Sequence, residues 1–90
     1  MASGALNKFS IATQIVSVGT VTIGTLGYVS IESFIPPTPA GFTVLACTLL
    51  GFGNASSHDA VNVTADGRYI LGTAGATITN VNTKWIFYKP

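Results

Sequence analysis

Charged side chains are scarce in this sequence. Asp, Glu, Lys and Arg together make up 8% of its 90 residues, whereas about 25% is usual in soluble domains. The formal net charge of +1 comes from four basic and three acidic residues, which are scattered along the chain. No basic patch is present to neutralise phosphates, so we expect no nucleic-acid ligand. Solubility has to depend on Ser, Thr, Asn and Gly.

Cysteine is almost absent. Cys47 is the one thiol, so neither an internal disulfide nor a Cys-based metal site can form. Because Cys47 lies in an apolar run, we expect it to be a buried small hydrophobe. A chain of this length buries only about 60–65% of the surface that it exposes when unfolded. A partner is therefore the remaining source of additional stability.

No long apolar run suits a membrane span. Two uncharged stretches, 9–31 and 33–57, are long enough, and the mean hydropathy is +0.54. The first is interrupted by Gln14 and several glycines, and the second contains the prolines of 36–39. A spanning helix requires about 20 mostly apolar residues, and the chain start lacks the pattern of a signal peptide. We expect no membrane insertion.

The groups that catalysis requires are also few. The chain has one histidine and three carboxylates. His58 and Asp59 are adjacent, so in a strand they would point apart, and no Gly-x-Ser-x-Gly motif accompanies them. Glycoside hydrolysis would need two of Glu32, Asp59 and Asp66 to face each other across a cleft. Asp66 is accounted for by a turn, and a domain this small has little room for a sugar cleft. A metal at His58 would lack ligands unless several copies met on a symmetry axis. We therefore predict no enzyme activity, no cofactor and no metal.

Strand periodicity is what the sequence does contain. Small polar and apolar residues alternate from Phe9 to Val18, and β-branched or aromatic residues dominate the later runs. Glycine recurs too often for a helix of useful length. Asp66-Gly67, between two alternating runs, predicts a hairpin with a two-residue type I′ turn in which both residues have positive φ. The other predicted strands are 20–24, 28–35, 42–50 and 77–89, with loops at 36–41 and 51–59.

These elements predict an all-β fold, a small antiparallel β-sandwich that is jelly-roll-like and has about seven strands. We expect one domain over residues 1–90, with N-terminal strands in 1–34 and the main core in 35–90. The strand 9–18 could pair within its own chain or exchange with a neighbouring copy.

Two predicted strands, 42–50 and 77–89, are apolar on both faces. In a two-layer sandwich only one face of each strand meets the core, so another copy or another chain has to cover the second face. This pattern predicts an oligomer. The interface residues that we expect from it are Leu45, Leu49, Trp85 and Phe87.

Three features of layout occur together in the second part of the chain. A Pro-Gly loop, Ile35-Pro36-Pro37 to Ala40-Gly41, precedes the strand that begins Phe42-Thr43-Val44. A Ser/Asn/Gly loop follows at 54–58, and the chain closes on Trp85-Ile86-Phe87-Tyr88-Lys89-Pro90. The segment from Ile35 to Tyr88 thereby resembles the C-terminal head domains of bacteriophage tail-fibre and receptor-binding proteins, over about two thirds of the chain. The fibre shaft of such proteins has no counterpart here.

The resemblance implies a homotrimeric, non-enzymatic virion structural domain at a tail tip, which binds a carbohydrate or protein on the host cell surface. The alternative is a secreted bacterial adhesin or lectin-like carbohydrate-binding module, with Trp85 as an exposed stacking surface. In either location, virion or extracellular, we expect exposed loops to bind the receptor, through Asn54, Ser56, Ser57, His58 and Asp59, with Arg68 from the hairpin.

Two segments match the acceptor pattern for N-glycosylation. They are Asn54-Ala55-Ser56 and Asn62-Val63-Thr64. Such matches arise by chance in a chain that is rich in Asn, Ser and Thr, so no glycan is predicted on either asparagine.

Overall fold

A computed structural model describes residues 10–55 and 61–90. Every strand pairing in this part of the chain is antiparallel. The predicted all-β fold, with about seven strands in two antiparallel sheets, is confirmed. The seven strands are β1 (Ser10–Thr22), β2 (Tyr28–Ser30), β3 (Thr43–Gly51), β4 (Asn54–Ala55), β5 (Asn62–Val63), β6 (Tyr69–Leu71) and β7 (Thr77–Lys89), and a 3₁₀ turn covers Glu32–Phe34.

The larger sheet is built around β7, the last strand of the chain. Its order is β1-β7-β3, and the short β4 pairs with β7 beside β3. β1 and β7 each have 13 residues, and they pair from Ser10 opposite Lys89 to Thr22 opposite Thr77. The first strand thus pairs with β7 of its own chain. At about 3.3 Å per residue these two strands are roughly 43 Å long.

The smaller sheet has the order β2-β6-β5. Tyr28 lies opposite Leu71, and Val63 lies opposite Ile70. Because side chains alternate along a strand, each short strand sends one set inward and one set outward. The inward set is Val29, Val63 and Ile70, and the outward set is Tyr28, Ser30, Asn62, Tyr69 and Leu71.

The core lies between the two sheets. β7 provides much of it, because its alternate residues point inward and are 2% exposed or less. Asn80 adopts a positive φ of 53°, which Asn tolerates better than most residues. The alternation shifts at this point, so that Ile78 and Val81 both face inward. The buried apolar core is Val18, Ile23, Ile31, Cys47, Val63, Ile70, Ala76, Ile78, Val81, Trp85 and Phe87.

Three predicted boundaries were wrong. β1 continues through Gly19, because a bulge with φ of 84° at this glycine absorbs the irregularity without ending the strand. The strand predicted for 28–35 ends at Ser30, since Phe34 N–H donates to the carbonyl of Ile31 and starts a 3₁₀ turn. The prolines that follow provide no N–H for a ladder. The loop predicted for 51–59 contains the two-residue strand β4.

The predicted hairpin forms, but its turn differs from the prediction. Gly67 N–H donates to the carbonyl of Thr64 at 2.8 Å, and Gly67 has φ of 73°. Asp66 does not have positive φ, so the turn is not type I′. The Asp66 carboxylate instead accepts hydrogen bonds from the Thr64 hydroxyl at 2.7 Å and from Arg68 N–H at 3.1 Å. These bonds stabilise the longer loop, in which only the glycine adopts the left-handed conformation.

Candidate assembly and binding surfaces

The outer face of the large sheet carries apolar side chains, and those on β1 are largely exposed. Residues opposite each other on neighbouring strands point to the same side, so the register defines the rows of this face. In the strand order β1, β7, β3 the rows are Ile11, Tyr88 and Thr43; Thr13, Ile86 and Ala46; and Ile15, Lys84 and Thr48. We call these nine residues the outer face.

Four of the nine residues of the outer face are aliphatic and three are threonines. Ile11 is 52% exposed and Ile15 is 62% exposed, whereas Ile86 and Tyr88 are half-buried. Lys84 is the one charged residue of the nine. Exposed aliphatic side chains on a sheet face with a single charge are typical of an interface.

The edge of the large sheet at β1 is also open. The edge at β3 is held by the small sheet, because Cys47 N–H donates to the carbonyl of Ala65 at 3.0 Å. No strand in the described part of the chain pairs with the second side of β1. Natural edge strands are usually protected by charge, proline or short length. β1 has 13 residues with neither charge nor proline, so only its bulge interrupts the edge.

The interface predicted from sequence needs a correction. Trp85 and Phe87 are 2% and 1% exposed, and they stack in the domain's own core with ring centroids 6.4 Å apart. Trp85 is therefore not accessible to another subunit. It is not accessible to a sugar either, although the lectin-like alternative requires an exposed Trp85. Leu49 is half-buried, and Leu45 is 55% exposed in a bulge of β3. The neighbours of Trp85 and Phe87 in β7, Ile86 and Tyr88, face outward instead, together with Lys84.

The predicted binding loop is described only in part. Ser56, Ser57, His58 and Asp59 lie outside the described residues. Asn54 is exposed in β4, and its carbonyl accepts a hydrogen bond from the Thr79 hydroxyl at 3.5 Å. Arg68 is on the β5–β6 hairpin of the small sheet, with 56% of its side chain exposed. The two described members of the set thus belong to different sheets.

A second surface, which the sequence analysis missed, is the outer face of the small sheet. The rings of Tyr28 and Tyr69 meet edge to face, with centroids 5.2 Å apart and an interplanar angle of 79°. Tyr28 is 42% exposed, and Leu71 beside it is 40% exposed. The Ser30 hydroxyl donates to Glu32 Oε1 at 3.2 Å next to this pair. The alternation within Tyr28-Val29-Ser30 and within Tyr69-Ile70-Leu71 is visible in the sequence and could have indicated two strands with an aromatic outer side. The pairing of these two strands with each other is not visible there.

Charge is concentrated at one end of this small sheet. Ile31 N–H donates to the carbonyl of Arg68 at 2.8 Å, which brings Glu32 close to the hairpin. Arg68 Nε lies 3.9 Å from Asp66 Oδ2. Three of the five charged residues that the structure describes are therefore here, and the other two are the lysines of β7.

Two titratable groups have shifted pKa values. Hydrogen bonds from the Thr64 hydroxyl and from Arg68 N–H lower the pKa of the Asp66 carboxyl, because they stabilise its charged form. Burial raises the pKa of the Cys47 thiol, against a smaller opposite effect of the neighbouring Thr83 hydroxyl. That hydroxyl and Trp85 Nε1 are buried without a well-formed hydrogen bond among the described residues. Cys47 is consequently a protonated core thiol near neutral pH.

The described ranges contain no group of three or more His, Cys, Asp or Glu side chains that could hold a metal ion. None of the helical structure in those ranges is long and apolar enough to cross a membrane. Comparison with protein-family models, curated proteins and solved structures found no match to this chain.

Proposed function

We propose that this protein is a non-enzymatic structural domain of a virion, at the tip of a phage tail. It assembles into a homotrimer and binds a receptor on the host cell surface. The outer face of the large sheet is the observation that carries the assembly part of the proposal. The resemblance of residues 35–88 to phage head domains supports the virion location and the receptor role.

Copies of the same chain are the partner that best fits the outer face. With Lys84 as its one charge, the face can meet itself without the repulsion that a strongly charged surface would cause. The exposed isoleucines of β1 and the uncharged edge of the same strand form one continuous surface. Covering the face therefore also shields the edge, and one contact removes both exposed features from water.

Threefold symmetry suits the shape of this surface. Three sheets that face a common axis form a triangular prism, in which each outer face is covered by the two others. The long strands then run along the axis, and their length of roughly 43 Å gives an elongated bundle. The small sheets lie on the outside of this prism, where they are accessible to a receptor.

A secreted adhesin or lectin-like module is the second candidate. The observation that favours it is the Tyr28–Tyr69 pair, in which Tyr28 is exposed and Tyr69 is half-buried, since a binding surface on one copy needs no trimer. A soluble monomer that binds carbohydrate would support this candidate.

A charge substitution on the outer face tests the assembly. Ile15→Lys places a second charge on the face, opposite Lys84, and should convert the trimer to monomers, with the mass measured by light scattering after size exclusion. Leu26→Lys is the matched control, because Leu26 is even more exposed, at 78%, but lies outside the outer face. Unchanged mass in Ile15→Lys, or equal dissociation in both variants, would contradict this interface.

A further inference from the structure

We infer that the outer face of the small sheet binds neutral glycans, with the Tyr28–Tyr69 pair as the stacking surface and Glu32 and Arg68 as polar contacts. We call these four residues the tyrosine face. The inference deepens the proposed receptor-binding function and rests on it, because it names the site and the ligand class. It moves the site away from the loop 54–59 that the sequence analysis favoured.

The aromatic pair has the properties that sugar stacking requires. A pyranose presents an apolar C–H surface beside its hydroxyls, and an aromatic ring with a polar end matches both. Tyrosine provides such a contact area at a low cost in conformational entropy. The edge-to-face contact at 5.2 Å fixes the two rings relative to each other, so the surface is formed before the ligand arrives. Each ring ends in a hydroxyl that can donate and accept hydrogen bonds.

Polar groups of both kinds lie on residues close to the pair, because Glu32 is hydrogen-bonded to Ser30 on the same face and Arg68 precedes Tyr69 in the chain. The Glu32 carboxylate is exposed, and Ser30 is hydrogen-bonded to only one of its oxygens, which leaves the other to accept from sugar hydroxyls. The Arg68 guanidinium lies 3.9 Å from Asp66 and is 56% exposed, so it retains donors for a ligand. Leu71 extends the apolar part of the surface at the opposite end.

The balance of charge selects neutral sugars. Two carboxylates, Glu32 and Asp66, accompany one cation, Arg68, so this end of the sheet is net acidic. Such a surface disfavours sialic acids, uronic acids and phosphorylated sugars, because like charges repel. The same balance argues against a nucleic-acid ligand.

The tyrosine face is a sheet surface rather than a closed pocket, so one copy should bind weakly. Three copies in the proposed trimer present three outward sites, and their combined affinity can exceed that of one site by about 10²–10⁴. Weak single sites with strong combined binding fit a protein that attaches to a cell surface covered with repeated sugars.

The test is binding of the full chain to a printed array of neutral and acidic glycans, followed by variants. We expect binding to neutral glycans, a loss of about tenfold or more with Tyr28→Ala, and retention with Tyr28→Phe. Phe52→Ala is the matched control, because Phe52 is 41% exposed and lies next to β4 and the loop 54–59. We expect this control to bind as the unchanged protein does.

A second measurement is made on the unchanged protein, so its result does not depend on whether the variants fold. Amide chemical-shift changes in the unchanged protein, titrated with methyl glucoside, galactoside, mannoside and N-acetylglucosaminide, should concentrate at residues 28–32 and 68–71. Preference for acidic glycans, loss of binding in Phe52→Ala but not in Tyr28→Ala, or absence of binding to any glycan on the array would overturn the inference. The molar mass of each variant in solution is also measured by light scattering. A monomer that binds glycans through Tyr28 refutes the proposed assembly but not this site. A trimer that binds no glycan refutes this site but not the proposed assembly.

Discussion

Gly67 gives a quantitative test of how the hairpin and the core depend on each other. A Cβ added at this glycine would lie 2.2 Å from Cζ2 and 2.4 Å from Cη2 of Trp85, so the turn sits directly on the buried indole. Gly67 also has φ of 73°. Gly67→Ala should therefore incur two separate costs, backbone strain of about 1–2 kcal/mol and an overlap with Trp85 of about 1–3 kcal/mol.

Gly75 separates these two costs. It has a similar φ, +81°, but no heavy atom lies within 4 Å of an added Cβ, so Gly75→Ala should show the strain alone. Since 1 kcal/mol changes Tm by about 4–8 °C in a domain of this size, Gly67→Ala should melt on the order of 10 °C below Gly75→Ala. The assay is thermal unfolding by circular dichroism, at one protein concentration because assembly makes Tm depend on concentration.

A double-mutant cycle assigns the overlap to Trp85. Phe lacks the two indole atoms that clash, so in a Trp85→Phe background the cost of Gly67→Ala should fall most of the way to the value found for Gly75→Ala. The remaining excess comes from Cys47 Cβ, which lies 3.2 Å from the added Cβ. Equal destabilisation by Gly67→Ala and Gly75→Ala in the unchanged background would refute the reasoning, because the indole would then not lie beneath the turn.

Three further predictions concern single side chains. Asp66→Asn should lower stability at neutral pH, because the folded state lowers the pKa of Asp66 below its usual 3.8. This contribution is present above the unfolded pKa and is lost as pH falls through the folded pKa, so the Tm difference from the unchanged protein should shrink as pH falls below the usual pKa of 3.8; a difference that stays constant as pH falls from neutral to strongly acidic would contradict it. Cys47 should react with a thiol reagent only as fast as the domain unfolds, since it is buried and its pKa is raised; rapid labelling under native conditions would show that the core is open there. Ile70→Ala should cost about 2–5 kcal/mol in denaturant unfolding, because Ile70 is fully buried between the sheets, and a cost below 1 kcal/mol would place it outside the core.

Local sequence signals were sufficient for much of the fold. β7 was predicted with the bounds that it has, because 13 residues of β-forming sequence follow a glycine turn without interruption. The Asp66-Gly67 hairpin was identified by its turn residues. The turn type was not, since it depends on the Thr64 hydroxyl that engages the Asp66 carboxylate, a contact that the dipeptide alone does not reveal.

The surfaces were harder to predict, for two physical reasons. β7 is apolar on both sides, so periodicity could not decide whether Trp85 and Phe87 or Ile86 and Tyr88 face the core. The small sheet decides it, because its hairpin covers the side of Trp85. The tyrosine face requires β2 to pair with β6, about 40 residues away along the chain, and no short-range pattern specifies such a pairing.

The mass of the unchanged protein in solution is the most direct test of the central claim, that other copies of this chain cover the outer face of the large sheet. Light scattering behind a sizing column should give three times the 9.3 kDa of one chain, and the value should hold over a tenfold dilution. A soluble monomer at every concentration would contradict the account, because Ile11 and Ile15 would then remain in contact with water.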